Sequence, residues 1–158
     1  MNPVRHAGCA GCLADAPWRL LTGMNFDGAL DPPPGVTVER FRPDFPAMLR
    51  RCRVSVSQCG YNTALEVLKS GIPAVVVPYL APGEDEQIRR AQRLAALGAV
   101  RLLEPCDLTG SQLAAAIAEL PNDVAESVDL DLGGATTSTE LVWRMHRHRV
   151  GRTEVVVA

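Results

Sequence analysis

No long hydrophobic run occurs in this chain. The longest, 72–80, stops far short of the roughly twenty apolar residues a spanning helix needs, so no transmembrane segment is expected. Arg5 and His6 stand near the start, but Asp15 arrives before any hydrophobic block forms, which argues against a signal peptide. Charge of one sign is missing too. A net charge of −2 provides no broad field for nucleic acid or anionic lipid and leaves only local basic patches. The five cysteines, at positions 9, 12, 52, 59 and 106, are an odd number and do not describe a disulfide framework, so a reducing cytoplasm is the expected compartment. Cys9 and Cys12 have CxxC spacing, yet no second pair and no histidine at finger spacing follow, which speaks against a zinc or redox role. No internal repeat is visible. What remains is the length and composition of one ordinary α/β domain with its own core.

The informative stretch begins at the β-branched run 54–57 and the turn Gln58-Cys59-Gly60. From Tyr61 the apolar residues Ala64, Leu65, Val67 and Leu68 fall at helical spacing, and Gly71 followed by Pro73 ends the helix. Residues 74–77 are apolar on both faces, which suits a buried parallel strand. Strand, helix and strand make a βαβ unit, whose turns lead from strand carboxyl ends into helix amino termini. There, unpaired N–H groups and the helix dipole favour an anion. Gly60 lets backbone approach a ligand, and Asn62 and Thr63 are short polar residues at the mouth of the helix. Glu66, one turn further in, has the chemistry to accept two hydrogen bonds from a ribose diol. A plain capped helix with an exposed Glu66 is the alternative. The next loop, 79–83, leaves the same sheet edge, and the polar residues 84–87 open a second helix running to Gly98. Gln87 there carries a donor and an acceptor on one amide.

Taken together, the order Ser-x-x-Gly-Tyr-Asn-Thr-x-x-Glu, then Gly-x-Pro-x-x-x-x-Pro, then Glu-x-x-Gln-x-x-Arg-Ala-x-x-Leu-x-x-x-Gly resembles the carboxyl-terminal, donor-binding domain of the GT-B glycosyltransferases of family 28. That family includes the bacterial enzyme that adds GlcNAc to the lipid-linked peptidoglycan precursor. The likeness runs over about 18–120. It implies an α/β fold, a Rossmann-like open, mostly parallel sheet with helices on both faces, forming one half of a GT-B fold. It implies a UDP-sugar as donor, UDP-GlcNAc-like, and no separate cofactor. Glu66 would hold the ribose. The helix start at Ser57, Gly60, Tyr61, Asn62 and Thr63 would face the diphosphate, and Glu86 with Gln87 the sugar. Phe41, by packing, and Arg42, by its backbone, would border the uracil. The peptidoglycan enzyme has a Gln pair where this chain has Glu86-Gln87, a departure that bears on the identity of the sugar.

Elsewhere the pattern predicts a poorly ordered start over 1–17, the nucleotide-sugar-binding domain over 18–150 and a flexible tail over 151–158, in which 155–157 could add an edge strand. Strands are expected at 18–22, 36–41 and 99–103. The loop 24–35, with three consecutive prolines, cannot be helix or sheet interior. Asp44 is expected to cap a helix over 45–52 with Phe45, Met48 and Leu49 buried and Arg50, Arg51 and Arg53 outward. Further helices are expected from about Asp107 to Leu120 and over 135–147, the latter packing on the domain through Leu141, Val142 and Met145. The basic cluster 144–149 follows the preference of cations for helix ends, and His146 and His148 do not share a helical face as metal ligands would. Cys59 reads as a small filler beneath the turn and not as a nucleophile.

The family domain normally opens with a further strand and a glycine-rich loop; here the first secure strand, at Trp18, corresponds to its second. The group acting on the acceptor hydroxyl belongs to the other GT-B domain, so no catalytic residue is assigned within this chain. The chain would therefore act as a hexosyltransferase only with an N-terminal acceptor-binding domain or partner subunit, with peripheral membrane association through that partner, or with self-association covering the open sheet. The alternatives are a non-catalytic nucleotide-sugar-binding module and an inactive truncated remnant. A nucleotide-sugar 2-epimerase shares the architecture but matches residues 61–63 and 84–87 less well.

Overall fold

The computed structural model describes residues 16–121 and 133–150, and the chain divides into two compact units, Met1–Val128 and Asp129–Ala158. The pair Cys9 and Cys12, most of the predicted start and the tail 151–158 lie outside the described residues.

In the first unit, β1 (Trp18–Leu21) pairs in parallel with β2 (Val36–Glu39). The proline-rich connection between them has no regular structure, since ring-locked φ angles and missing N–H groups deny it a ladder. A short helix, α1 (Phe45–Leu49), leads to β3 (Ser55–Ser57). Then come α2 (Tyr61–Ser70), β4 (Ala74–Val76), α3 (Glu86–Ala96), β5 (Arg101–Leu102), a single 3-10 turn at Pro105–Asp107 and α4 (Gly110–Ala118). Strands β3, β4 and β5 form a second parallel sheet in that order.

Every strand pair is parallel and the sheets are open, as expected, but the described strands form two sheets of two and three and not one.

The core lies around β4, which is buried along its length. Val75 packs with Leu113 and Ala116 of α4, and Val56, Leu103 and Ile117 close around them. Strand alternation turns Ala74 and Val76 to the opposite face, where they are buried too. Gly71 ends α2 in the left-handed region, φ 66°, accepting the conformation that a Cβ disfavours and donating to the Val67 and Leu68 carbonyls.

Two local expectations need correction. Asp44 begins α1 but its carboxylate does not cap it, because both oxygens are taken by Arg42. Glu84 lies in the loop, bridged to Ala81, and α3 begins only at Glu86. In the second unit α5 (Gly134–Val150) forms, and Leu141, Val142 and Met145 along it are exposed. No helix among the described residues is long and apolar enough to cross a membrane.

Candidate functional site

Because β3 and β4 are parallel neighbours, the turn after β3 and the loop after β4 leave the sheet at the same end, and each feeds a helix amino terminus. Helix α2 starts at Gly60, with no side chain to cap it, and α3 starts at Asp85, whose carboxylate pairs with Arg89 at 2.6 Å instead of with the helix amides. The first N–H groups of both helices therefore have no side-chain cap. At Gly60 φ is −62°, ordinary for any residue, and a Cβ would meet nothing within 4 Å. The backbone does not require glycine there. Its absent side chain leaves the approach to the α2 amides open.

The two helix starts are joined through Arg90. Its Nη1 donates to the Cys59 carbonyl at 2.7 Å, its Nη2 pairs with Glu86, and its guanidinium carbon lies 5.4 Å from the centre of the Tyr61 ring. So Tyr61, Glu86 and the Cys59–Gly60 peptide are held in one cluster. Gln87 is held separately: its amide oxygen accepts from the Tyr79 N–H at 3.1 Å, which leaves the NH2 as its donor. Asn62 is exposed and Thr63 half-buried on the first turn of α2. Glu66, one turn on, is half-buried and pairs with Lys69 at 3.6 Å, a partly exposed contact too weak to compete with a charged hydrogen bond. Ser57 ends β3 with a buried hydroxyl oxygen that has no hydrogen-bond partner. Cys59 is fully buried, and burial pushes its thiol pKa up against the opposing pull of Arg90, so it stays a neutral thiol in keeping with a filler.

Phe41 and Arg42 follow β2, which belongs to the other sheet from the Gly60 cluster. Phe41 is exposed. The Arg42 side chain is committed: Nε and Nη2 hold Asp44 at 2.9 and 2.8 Å, and Nη1 reaches Glu39 at 3.2 Å. The Asp44 and Glu39 carboxylates raise the Arg42 pKa. Asp44 is held below its usual value by Arg42. At Glu39 desolvation is the largest single influence and pushes upward, but hydrogen bonds from Arg42 and Arg19 and the charges of both together outweigh it and bring the pKa down. Three of the five Arg42 guanidinium N–H donors are used in this way, and the Arg42 carbonyl accepts from the Phe45 N–H at 3.3 Å. At the carboxyl ends of β1 and β2 is a shallow hollow of about 340 Å³ whose lining includes Thr22, Phe26, Asp27, Leu30, Val38 and Arg40 but neither Phe41 nor Arg42.

The sequence places Arg90 in the family-like pattern without giving it a role, and it does not mark this hollow. The pair Glu86 and Arg90 at i,i+4 is a readable signal. The bond from Arg90 to Cys59, 31 residues back, has none. Among the described residues no group of three or more potential ligands could hold a metal ion.

Comparison with known proteins agrees with this architecture. The N-acetylglucosamine transferase of Lactiplantibacillus plantarum named for N-acetylmuramyl-(pentapeptide) pyrophosphoryl-undecaprenol is 34% identical over 84 residues, 53% of this chain and 23% of that protein. Its namesake in Levilactobacillus brevis is 29% identical over 129 residues, 77% of this chain and 34% of that one. This chain thus spans about a quarter to a third of those relatives' length. Among solved structures, CalG4, the calicheamicin glycosyltransferase, superposes with a TM-score of 0.61 at 26% identity, covering 94% of this chain and 40% of that one. The glycotransferase of kitacinnamycin gives 0.59 at 32% identity over 70% and 28% of the two chains. Both curated relatives and both structural neighbours are glycosyltransferases, and the profile of the glycosyltransferase family 28 C-terminal domain matches residues 23–127, so the chain belongs to that family.

Proposed function

We propose that the chain is the donor-binding part of a glycosyltransferase, holding a UDP-sugar of the UDP-GlcNAc kind and transferring its hexosyl group only when joined to an acceptor-binding domain or subunit. The observation that carries this reading is the pair of helix starts without side-chain caps, on one sheet edge, linked through Arg90. The α2 amides from Gly60 to Thr63 would hold the diphosphate, Glu66 the ribose, and Glu86 with Gln87 the sugar. Phe41 and the Arg42 backbone would border the uracil, and the lone Ser57 hydroxyl would gain a partner at the phosphate end. In an inverting transfer the acceptor oxygen bonds to the anomeric carbon as the bond from that carbon to the diphosphate oxygen breaks. The electron pair leaves with UDP, where the α2 dipole opposes the growing charge. The acceptor proton goes to a base on the other domain. The free Cys52, Cys59 and Cys106 support a cytoplasmic setting, and peripheral membrane association would come from the partner.

Titration calorimetry with UDP and UDP-GlcNAc tests the reading. Binding is expected, and Glu66→Ala should weaken it by more than about 1 kcal/mol, the worth of a charged hydrogen bond. No heat at millimolar ligand would leave only the remnant, and unchanged affinity in the variant would remove Glu66 from the site.

A further inference from the structure

Arg90 stands in the second turn of α3, yet it reaches back to the turn before α2. The Cys59 carbonyl it holds belongs to the same planar trans peptide as the Gly60 N–H, so gripping the oxygen on one side fixes the direction of the N–H on the other. Gly60 in turn starts the α2 ladder, its carbonyl accepting from the Ala64 N–H at 2.9 Å. The same guanidinium lies over Tyr61, the first residue of α2, and pairs with Glu86, the first of α3. Its side chain is only 20% exposed. A planar fork with five donors can meet all three partners at once; a lysine ammonium on a single stem cannot.

We propose that Arg90 is a positioning residue of the donor site: by holding the Cys59 carbonyl, Tyr61 and Glu86 together it aims the Gly60 amide and keeps the two helix starts in one arrangement. This rests on the reading that the α2 amides receive a diphosphate. It also gives Glu86 a second part. Its carboxylate, unwelcome beside a diphosphate, is neutralised by the guanidinium and steadies it in return.

The test uses the full chain with Arg90→Gln and Arg90→Lys. First, without ligand, the amide resonances of Gly60 and Tyr61 are compared by NMR. Both variants should shift them while the thermal midpoint changes little. Second, UDP affinity is measured by calorimetry. Arg90→Gln should lose about tenfold, the worth of one charged hydrogen bond, and Arg90→Lys, which keeps the charge but not the fork, should not restore it. Full affinity in Arg90→Lys would reduce the role to charge alone and overturn the proposal. A Gly60 resonance unmoved in Arg90→Gln would overturn it whatever UDP does. A wild-type chain that ignores UDP, with a Gly60 resonance that still moves, would overturn the donor reading and leave the anchor standing.

Discussion

Helices α2, α3 and α4 follow successive parallel strands, but they begin differently. The start of α4 is closed by its own residues: the Thr109 hydroxyl accepts from the Gln112 N–H at 3.2 Å. Helices α2 and α3 have no such bond. A side-chain cap contributes typically about 1 kcal/mol, so two of the three helices forgo a stabilisation that the third takes. The one that takes it also supplies Leu113 and Ala116 to the core around Val75. On the proposed reading, the difference separates a helix start that serves the fold from two that would receive a ligand.

That division is open to attack at its heaviest point first. Leu113 is 6% exposed, and Leu113→Ala should cost about 3 kcal/mol in urea unfolding through lost burial and a residual cavity. UDP affinity of the folded fraction should not change. Coupled losses of stability and affinity would mean that α4 is not a purely structural element.

Gly60→Asp attacks the other side. The φ of −62° suits aspartate and a Cβ meets open space, so the fold should accept it. A carboxylate able to cap α2 should leave the protein as stable or about a few tenths of a kcal/mol more so. If α2 receives the diphosphate as proposed, the same charge should weaken UDP binding by at least about thirtyfold. A Gly60→Asp protein that binds UDP as well as the wild type would move the site away from α2. Thr109→Ala is the matched control: about 1 kcal/mol less stable by thermal unfolding, with UDP affinity retained.

The contrast between regions also marks what can be read in advance. Helix α2 and strand β4 are legible because their signals are local: apolar spacing at 64, 65, 67 and 68, Gly71 with Pro73, and an apolar run at 74–77. The candidate positions on both helix starts come from the same turns together with the family likeness. Relations between distant segments are not legible. Asp44 looks like a cap because Asp before an apolar pair usually is, and only the structure sets Arg42 against it. The Arg90 bond to Cys59 depends on how two βα turns are brought side by side, which no spacing within either turn encodes. Strand signals at 18–21 and 36–39 mark the strands but not their split from the others into two sheets.

The smallest effect concerns the β1–β2 region, where the charges bind each other instead of standing open. Asp44 and Glu39 are both held below their usual values by Arg42, with Arg19 adding to the hold on Glu39 against its desolvation. A carboxyl whose pKa is lower in the folded chain than in the unfolded one adds stability that is fully present above the unfolded value and is lost as pH falls through the folded value. Thermal midpoints should therefore decline below about pH 4.5, modestly, because these groups are exposed and screened by salt. Asp44→Asn should flatten part of that decline and leave UDP affinity near neutral pH unchanged, since the Arg42 role in the donor site would run through its backbone. If Asp44→Asn instead weakens UDP binding while the acid profile stays the same, then the carboxylate's hold on Arg42 belongs to ligand recognition, and the β1–β2 region joins the α2 and α3 starts in the proposed donor site.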